Sequence, residues 1–184
     1  MSRRPDDAGF TLAELLLATA VMITIIPALT GAMVVGWRTT DDTINRLSEN
    51  RNRAITNSLW SRDVASADTV DTNAADTTCL AGGDTLLARI SWTETPTSGS
   101  PVTRVAAWVW TGSTTQLVER RYCATGGAIT SSGTTAHDVA TAPVPTCRTA
   151  SGSTAACSAS TVSAQLAVTD AGGSFVASGR RRSS

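Results

Sequence analysis

The chain has 184 residues, a formal net charge of zero and no lysine, so every basic residue apart from one histidine is an arginine. That length holds one domain plus an anchor, and the arginines are scattered except for Arg180-Arg181-Arg182, which reads as a solvated tail, so no broad electropositive face for nucleic acid is evident. Thr, Ser, Ala and Gly dominate the second half, a composition of an extracellular, β-rich and loop-rich domain rather than a compact helical enzyme.

Residues 1–9 form a charged leader that stops at Gly9. Phe10-Thr11-Leu12-Ala13-Glu14 then opens an apolar run, residues 10–36, broken only by Thr11, Glu14, Thr19, Thr24, Thr30 and the helix-bending Pro27, Gly31 and Gly36. As a helix the run up to Val35 spans roughly 39 Å, enough to cross hydrocarbon with some tilt. A secretory signal peptide would have a shorter apolar core and a small-residue cleavage site on its far side. Here Gly9 lies on the near side of a longer run, so the segment is expected to stay in the mature protein. Glu14 is the lone carboxylate in that run, and an unpaired carboxylate in hydrocarbon is costly; it needs a partner or a function.

The flanking charges conflict with the expected orientation. Arg3 and Arg4 precede the run, offset by Asp6 and Asp7, whereas Arg38, Arg46, Arg51 and Arg53 follow it. A simple positive-inside count would put the C-terminal part in the cytoplasm, but long C-terminal domains translocate largely regardless of charge. The cysteines argue for an oxidising exterior. An extracytoplasmic C-terminal domain is therefore expected.

Residues 37–67 continue the helix as an amphipathic segment. Ile44, Leu47, Ile55 and Leu59 keep near one helical face, with Arg51 filling the missing turn, while Asp41, Asp42, Asn45, Arg46, Glu49 and Asn50 face outward. A single helix from Phe10 to about Ala67 would be roughly 85 Å long; Pro27 and Gly31 are expected to bend or locally melt it. The irregular spacing does not sustain coiled-coil heptads.

From residue 68 to 184 the period becomes two. In residues 85–93, Leu86, Ala88, Ile90 and Trp92 are expected on one face. Residues 102–110 are apolar on both faces, Ala106, Trp108 and Trp110 opposite Val105, Ala107 and Val109, as in a central strand. Residues 111–115 form a turn, 116–123 the next antiparallel strand, and 162–169 and 174–178 a pair joined by Asp170-Ala171-Gly172-Gly173. The Ser/Thr/Ala/Gly-rich stretch at about 124–161 is expected to be a long surface loop. A long helix followed by an antiparallel meander is an α+β order, the sheet packing on the helix's second half.

Cys79, Cys123, Cys147 and Cys157 contain no C-x-x-C pair, and one histidine makes a zinc site improbable. An even count in an extracellular domain reads as two disulfides with three possible connectivities. Closing the short loop between Cys147 and Cys157 would stabilise by about 2–3 kcal/mol, which leaves Cys79 to pair with Cys123. No enzyme is indicated, and neither cofactor nor metal: His137-Asp138 reads as a solvated pair, no serine sits in a Gly-x-Ser-x-Gly elbow, and no strand leads into a phosphate-cradling glycine loop. The tryptophans at 92, 108 and 110 could line a glycan site, but core packing accounts for them more simply.

The segment Gly9-Phe10-Thr11-Leu12-Ala13-Glu14 and the run behind it resemble the prepilin N-terminus of type IV pilins and type II secretion pseudopilins. The resemblance implies a pilin fold, cleavage after Gly9 by a membrane aspartyl prepilin peptidase, and N-methylation of the new N-terminal Phe10. It also implies that Glu14 directs assembly by meeting the amino-terminal charge of a neighbouring subunit. The segment Leu59-Trp60-Ser61-Arg62-Asp63-Val64-Ala65-Ser66-Ala67 and the strand Leu117-Val118-Glu119-Arg120 are similar to J-type minor pseudopilins and W-type minor pilins, which implies a minor subunit. The implied partners are other pilin or pseudopilin subunits, the prepilin peptidase, a membrane assembly platform and the lipid bilayer. The implied setting is a cell-surface or periplasmic filament: a pilus, a secretion pseudopilus or a competence system, nucleic acid being a partner only in the last. Two other classes stay open, an anchored adhesin or DNA-uptake receptor on the same scaffold, and an anchored surface protein that keeps its leader.

Overall fold

The computed structural model describes residues 11–76, 78–97, 99–112, 116–123 and 127–182. The architecture is α+β: helix α1 (Leu12–Ser66) comes first, and nine strands follow among the described residues. The chain divides into two compact units, Met1–Asn45 and Arg46–Ser184.

In the first unit α1 is unbroken through Pro27 and Gly31, so the local melting expected there is absent. The polar side chains are accommodated within the helix. Thr19 donates its hydroxyl to the carbonyls of Leu15 and Leu16, Thr24 to that of Val21 and Thr30 to that of Ile26. Each hydroxyl is thus satisfied without water, which lets a threonine-bearing helix remain compatible with lipid. The segment is long and apolar enough to cross a membrane, and Leu12, Leu17 and Ile23 are each at least 70 % exposed.

In the second unit the rest of α1 packs on two antiparallel sheets. The first holds β1 (Thr69–Asp71), β2 (Thr85–Glu94), β3 (Val102–Trp110), β4 (Val118–Cys123) and β5 (Ile129–Ala136), paired in chain order. The second holds β6 (Val144–Arg148), β7 (Thr154–Ala155), β8 (Ser163–Asp170) and β9 (Gly173–Arg180) in the order β7-β6-β8-β9. The expected single meander is therefore two sheets. The expected long loop at about 124–161 is corrected too, because β5, β6 and β7 lie within it. β5 is exposed along its first five residues, so it needs no alternating apolar face; its β-branched threonines fit a strand and hide the signal.

The main core joins Trp60 and Val64 of α1 to Ile90, Trp108 and Val118 of the first sheet and to Leu166 and Val168 of the second. A smaller core on the first sheet gathers Ala107 and Val109 with Cys79 and Cys123. The ladder between β2 and β3 slips between Leu86 and Ala88. A bulge re-aims the strand, so Leu87, Ala88 and Ile90 enter the main core and Leu86 packs with the smaller one. The expected sharing of a face by Leu86 and Ala88 is thereby corrected.

The buried face of α1 also differs from expectation. Ile44 and Leu47 are exposed, Ile55 and Leu59 are half-buried, and the buried residues are Asn52, Thr56, Trp60, Asp63 and Val64. The face has turned toward polar residues because each of them finds a partner on the sheets. On the opposite side of that contact Gly179 of β9 approaches so closely that a Cβ there would lie 2.6 Å from Val64 Cβ.

Candidate functional site

Gly9 and Phe10 lie outside the described residues. Glu14 is described, in the first turn of α1, and forms a reciprocal cap with Thr11. The Thr11 amide donates to Glu14 Oε2 at 3.0 Å and the Glu14 amide donates to Thr11 Oγ1 at 3.3 Å. The Thr11 hydroxyl in turn donates to Glu14 Oε2 at 3.1 Å. Thr-x-x-Glu is a capping box, which satisfies amides that have no partner inside the helix. Glu14 therefore has a local structural role, and its carboxylate still reaches the surface above an apolar strip of Leu17, Ala18, Val21, Met22, Ile25 and Ile26.

The second unit is held by a polar network that composition does not reveal. Asp63 of α1 is buried and accepts from Trp108 Nε1 at 2.9 Å, Arg120 Nε at 2.6 Å and Arg120 Nη2 at 2.5 Å. The bidentate fork matches guanidinium to carboxylate. Burial disfavours the charge on Arg120, but Asp63 outweighs it and holds that guanidinium above its ordinary value. Arg120 lies over the Tyr122 ring at 3.9 Å and also donates to the Tyr122 hydroxyl. Further along α1, Asn52 donates to the His137 carbonyl and to Asp170, Thr56 to the Thr135 carbonyl, and Trp60 Nε1 to the Ala164 carbonyl. Sequence reasoning missed the pairing of Asp63 with Arg120; a carboxylate three residues after a helix tryptophan and an arginine inside an apolar strand were the signals that could have found it.

The disulfides join Cys79 to Cys123 and Cys147 to Cys157. These are the two pairs that loop spacing suggests, and such bonds persist in an oxidising compartment. Cys79 takes a positive φ of 72°, an uncommon conformation for a residue with a side chain. Among the described residues no group of three or more His, Cys, Asp or Glu is placed to hold a metal ion.

Two clefts flank β5. One, of about 420 Å³, is lined by Arg62, Ser66, Trp92, Glu94, Arg104 and Tyr122 among others. The second, of about 190 Å³, lies between Leu59 and residues 131–134. They share Tyr122 and Ser131, and α1, β2, β3, β4 and β5 all contribute to their walls. Trp92 Nε1 and Arg104 Nε both donate to Glu94, at 3.1 and 3.0 Å. The bond from Trp92, then that from Arg104, hold the Glu94 carboxyl below its ordinary value of 4.5. No family model, curated protein or solved structure matches the chain.

Proposed function

We propose that the protein is a membrane-anchored assembly subunit of an extracytoplasmic filament of the type IV pilus or type II secretion pseudopilus kind, and a minor rather than a major subunit. The observation that carries this reading is the placement of Glu14, a lone carboxylate in the first turn of an exposed apolar helix, four residues after Phe10 of Gly9-Phe10. A helix able to span a membrane and a disulfide-bonded second unit support the same reading.

The mechanism follows from desolvation. In a single subunit Thr11 partly satisfies the Glu14 carboxylate. When a neighbour stacks alongside, the ammonium on its new N-terminal Phe10 meets that carboxylate, so two charges costly in lipid neutralise each other. Leu12, Leu15, Leu16 and Val21 supply non-specific packing around the pair. Membrane-extracted protein from cells with a working prepilin peptidase should have a mature mass starting at N-methylated Phe10. Retention of Met1 or Ser2 in such cells would end the proposal.

A further inference from the structure

The arginine triplet expected as a solvated tail is built into the fold. Arg180 is the last residue of β9. Beyond it the Arg181 amide donates to the Val162 carbonyl at 2.8 Å and the Arg182 amide to the Ala65 carbonyl at 3.4 Å. The Arg181 guanidinium is spent on carbonyls. Its Nε donates to Ala67 at 3.0 Å, and its Nη1 to Thr161 at 2.9 Å and to Ala159. Ala67 follows the last turn of α1, where the helix dipole leaves roughly half a negative charge. Arg181 offsets that charge and ties the end of α1 to residues 159–161.

Arg180 and Arg182 are exposed. With Arg181, Ser160, Thr161 and Val162 they line a cleft of about 380 Å³. None of the three guanidiniums has an ion pair among the described residues. Asp68, the carboxylate next to Ala67 in the chain, instead accepts the Thr93 amide at 2.7 Å. A further arginine adds to the charge. Arg148 and Arg180 flank Ser163 in the ladders of β6, β8 and β9, so they share a face of the sheet about 10 Å apart. The far wall is fixed: the Ser158 amide donates to Thr161 Oγ1 at 2.9 Å, the Thr161 amide to the Ser158 carbonyl at 3.0 Å, and Cys157, just before them, is bonded to Cys147.

We propose that this cleft binds a phosphate group, held by the guanidiniums of Arg180 and Arg182 and the hydroxyl of Ser160, with Arg181 as the frame that positions them. Uncompensated positive charge excludes a cation and favours an anion. Guanidiniums bind phosphate oxygens through paired, charge-assisted hydrogen bonds. A phosphate's tetrahedral oxygens accept from donors on several sides at once, which a planar carboxylate does less well. The Ser160 hydroxyl, 2.9 Å from that of Ser158, can accept from it and still donate to a ligand.

The test uses the full chain in maltoside micelles, which carry no phosphate. Inorganic phosphate is titrated at neutral pH and constant ionic strength, followed by calorimetry and by amide hydrogen exchange. Exchange at residues 158–162 should slow on saturation. Arg180→Gln and Arg182→Gln should each weaken binding by about tenfold or more without moving the thermal midpoint, and Arg180→Lys should restore part of the loss. Arg181→Gln should instead lower the midpoint, and Arg46→Gln, on an exposed part of α1, should change neither reading. Vesicles of phosphatidylglycerol, set against phosphatidylcholine, separate the sources. Binding of phosphate without the vesicles assigns a soluble phosphate, vesicle binding that needs Arg180 and Arg182 assigns a lipid headgroup, and either supports the site. Should the variants fail to fold, protection of residues 158–162 by phosphate and not by acetate carries the test. No binding of phosphate or vesicles at millimolar concentration, equal protection by acetate, or equal weakening by Arg46→Gln would each overturn the proposal.

Discussion

At the scale of single residues the decisive feature is Asp63. Its side chain is 2 % exposed and that of Arg120 9 %, so removing either partner leaves the other buried and unneutralised. Asp63→Ala should destabilise the protein by about 3–5 kcal/mol, read from a lowered midpoint of chemical unfolding with an unchanged slope. Replacing both partners by apolar residues, Asp63→Leu with Arg120→Met, should recover most of that loss, since the pair's desolvation offsets much of its attraction. A double variant as unstable as Asp63→Ala would mean that the Trp108 and Tyr122 bonds, not the charge pair, dominate. Glu94 makes a second residue-scale prediction. A carboxyl held below its ordinary value adds stability that is present above about pH 4.5 and is lost as pH falls through the folded value. In Trp92→Phe the Glu94 midpoint, followed by carbon-detected NMR, should rise toward 4.5, because the larger of its two hydrogen-bond causes is gone. An unmoved midpoint would assign the shift to Arg104 alone.

At the scale of elements, the assembly role proposed for Glu14 is separable from its capping of α1. Glutamine at the third helical position can still complete a capping box, but it carries no charge. Glu14→Gln and Glu14→Ala should therefore both insert into membrane and both be impaired in filament incorporation, quantified after shearing. Normal incorporation of Glu14→Gln would reduce Glu14 to a cap. At the other end of α1, Gly179→Ala should cost about 1–3 kcal/mol by overpacking against Val64, visible as a lowered thermal midpoint. These elements are unequally legible from sequence. β8 declares itself by alternation and β3 by an apolar run buried on both faces. β5 does not, since an edge strand exposed through residues 129–133 has no apolar face to alternate. The buried face of α1 escapes periodicity for a related reason: Asn52, Thr56 and Asp63 count as outward residues until their partners 45 to 118 positions away are known. Glu14 is legible because the apolar run isolates it. The clefts are not, because α1, β2, β3, β4 and β5 all contribute to them and no local spacing marks them.

At the scale of the whole molecule the two disulfides constrain unequal stretches, 10 and 44 residues apart. On the chain-entropy model they stabilise by about 3 and about 4 kcal/mol respectively. Residues from Trp37 onward, which contain all of the second unit, are expected to fold as a soluble monomer when oxidised. Replacing Cys79 and Cys123 with serine should lower stability more than replacing Cys147 and Cys157, and peptide mapping of secreted material should recover both pairs. Equal losses, or four free thiols in that material, would contradict this ordering.

The polar docking of α1 also has a mechanical meaning. Apolar surfaces slide past one another with little penalty, since a side chain that leaves one apolar neighbour soon meets the next. The bonds made by Asn52, Thr56, Trp60 and Asp63 act instead as pegs in fixed sockets spread along three turns. A load pulling along the helix axis strains all of them in shear at once, so α1 should hold to a high rupture force and then release abruptly. Single-molecule pulling between the start of α1 and the C-terminus should show one sharp break at this junction, and gradual slippage would show that the pegs do not act together.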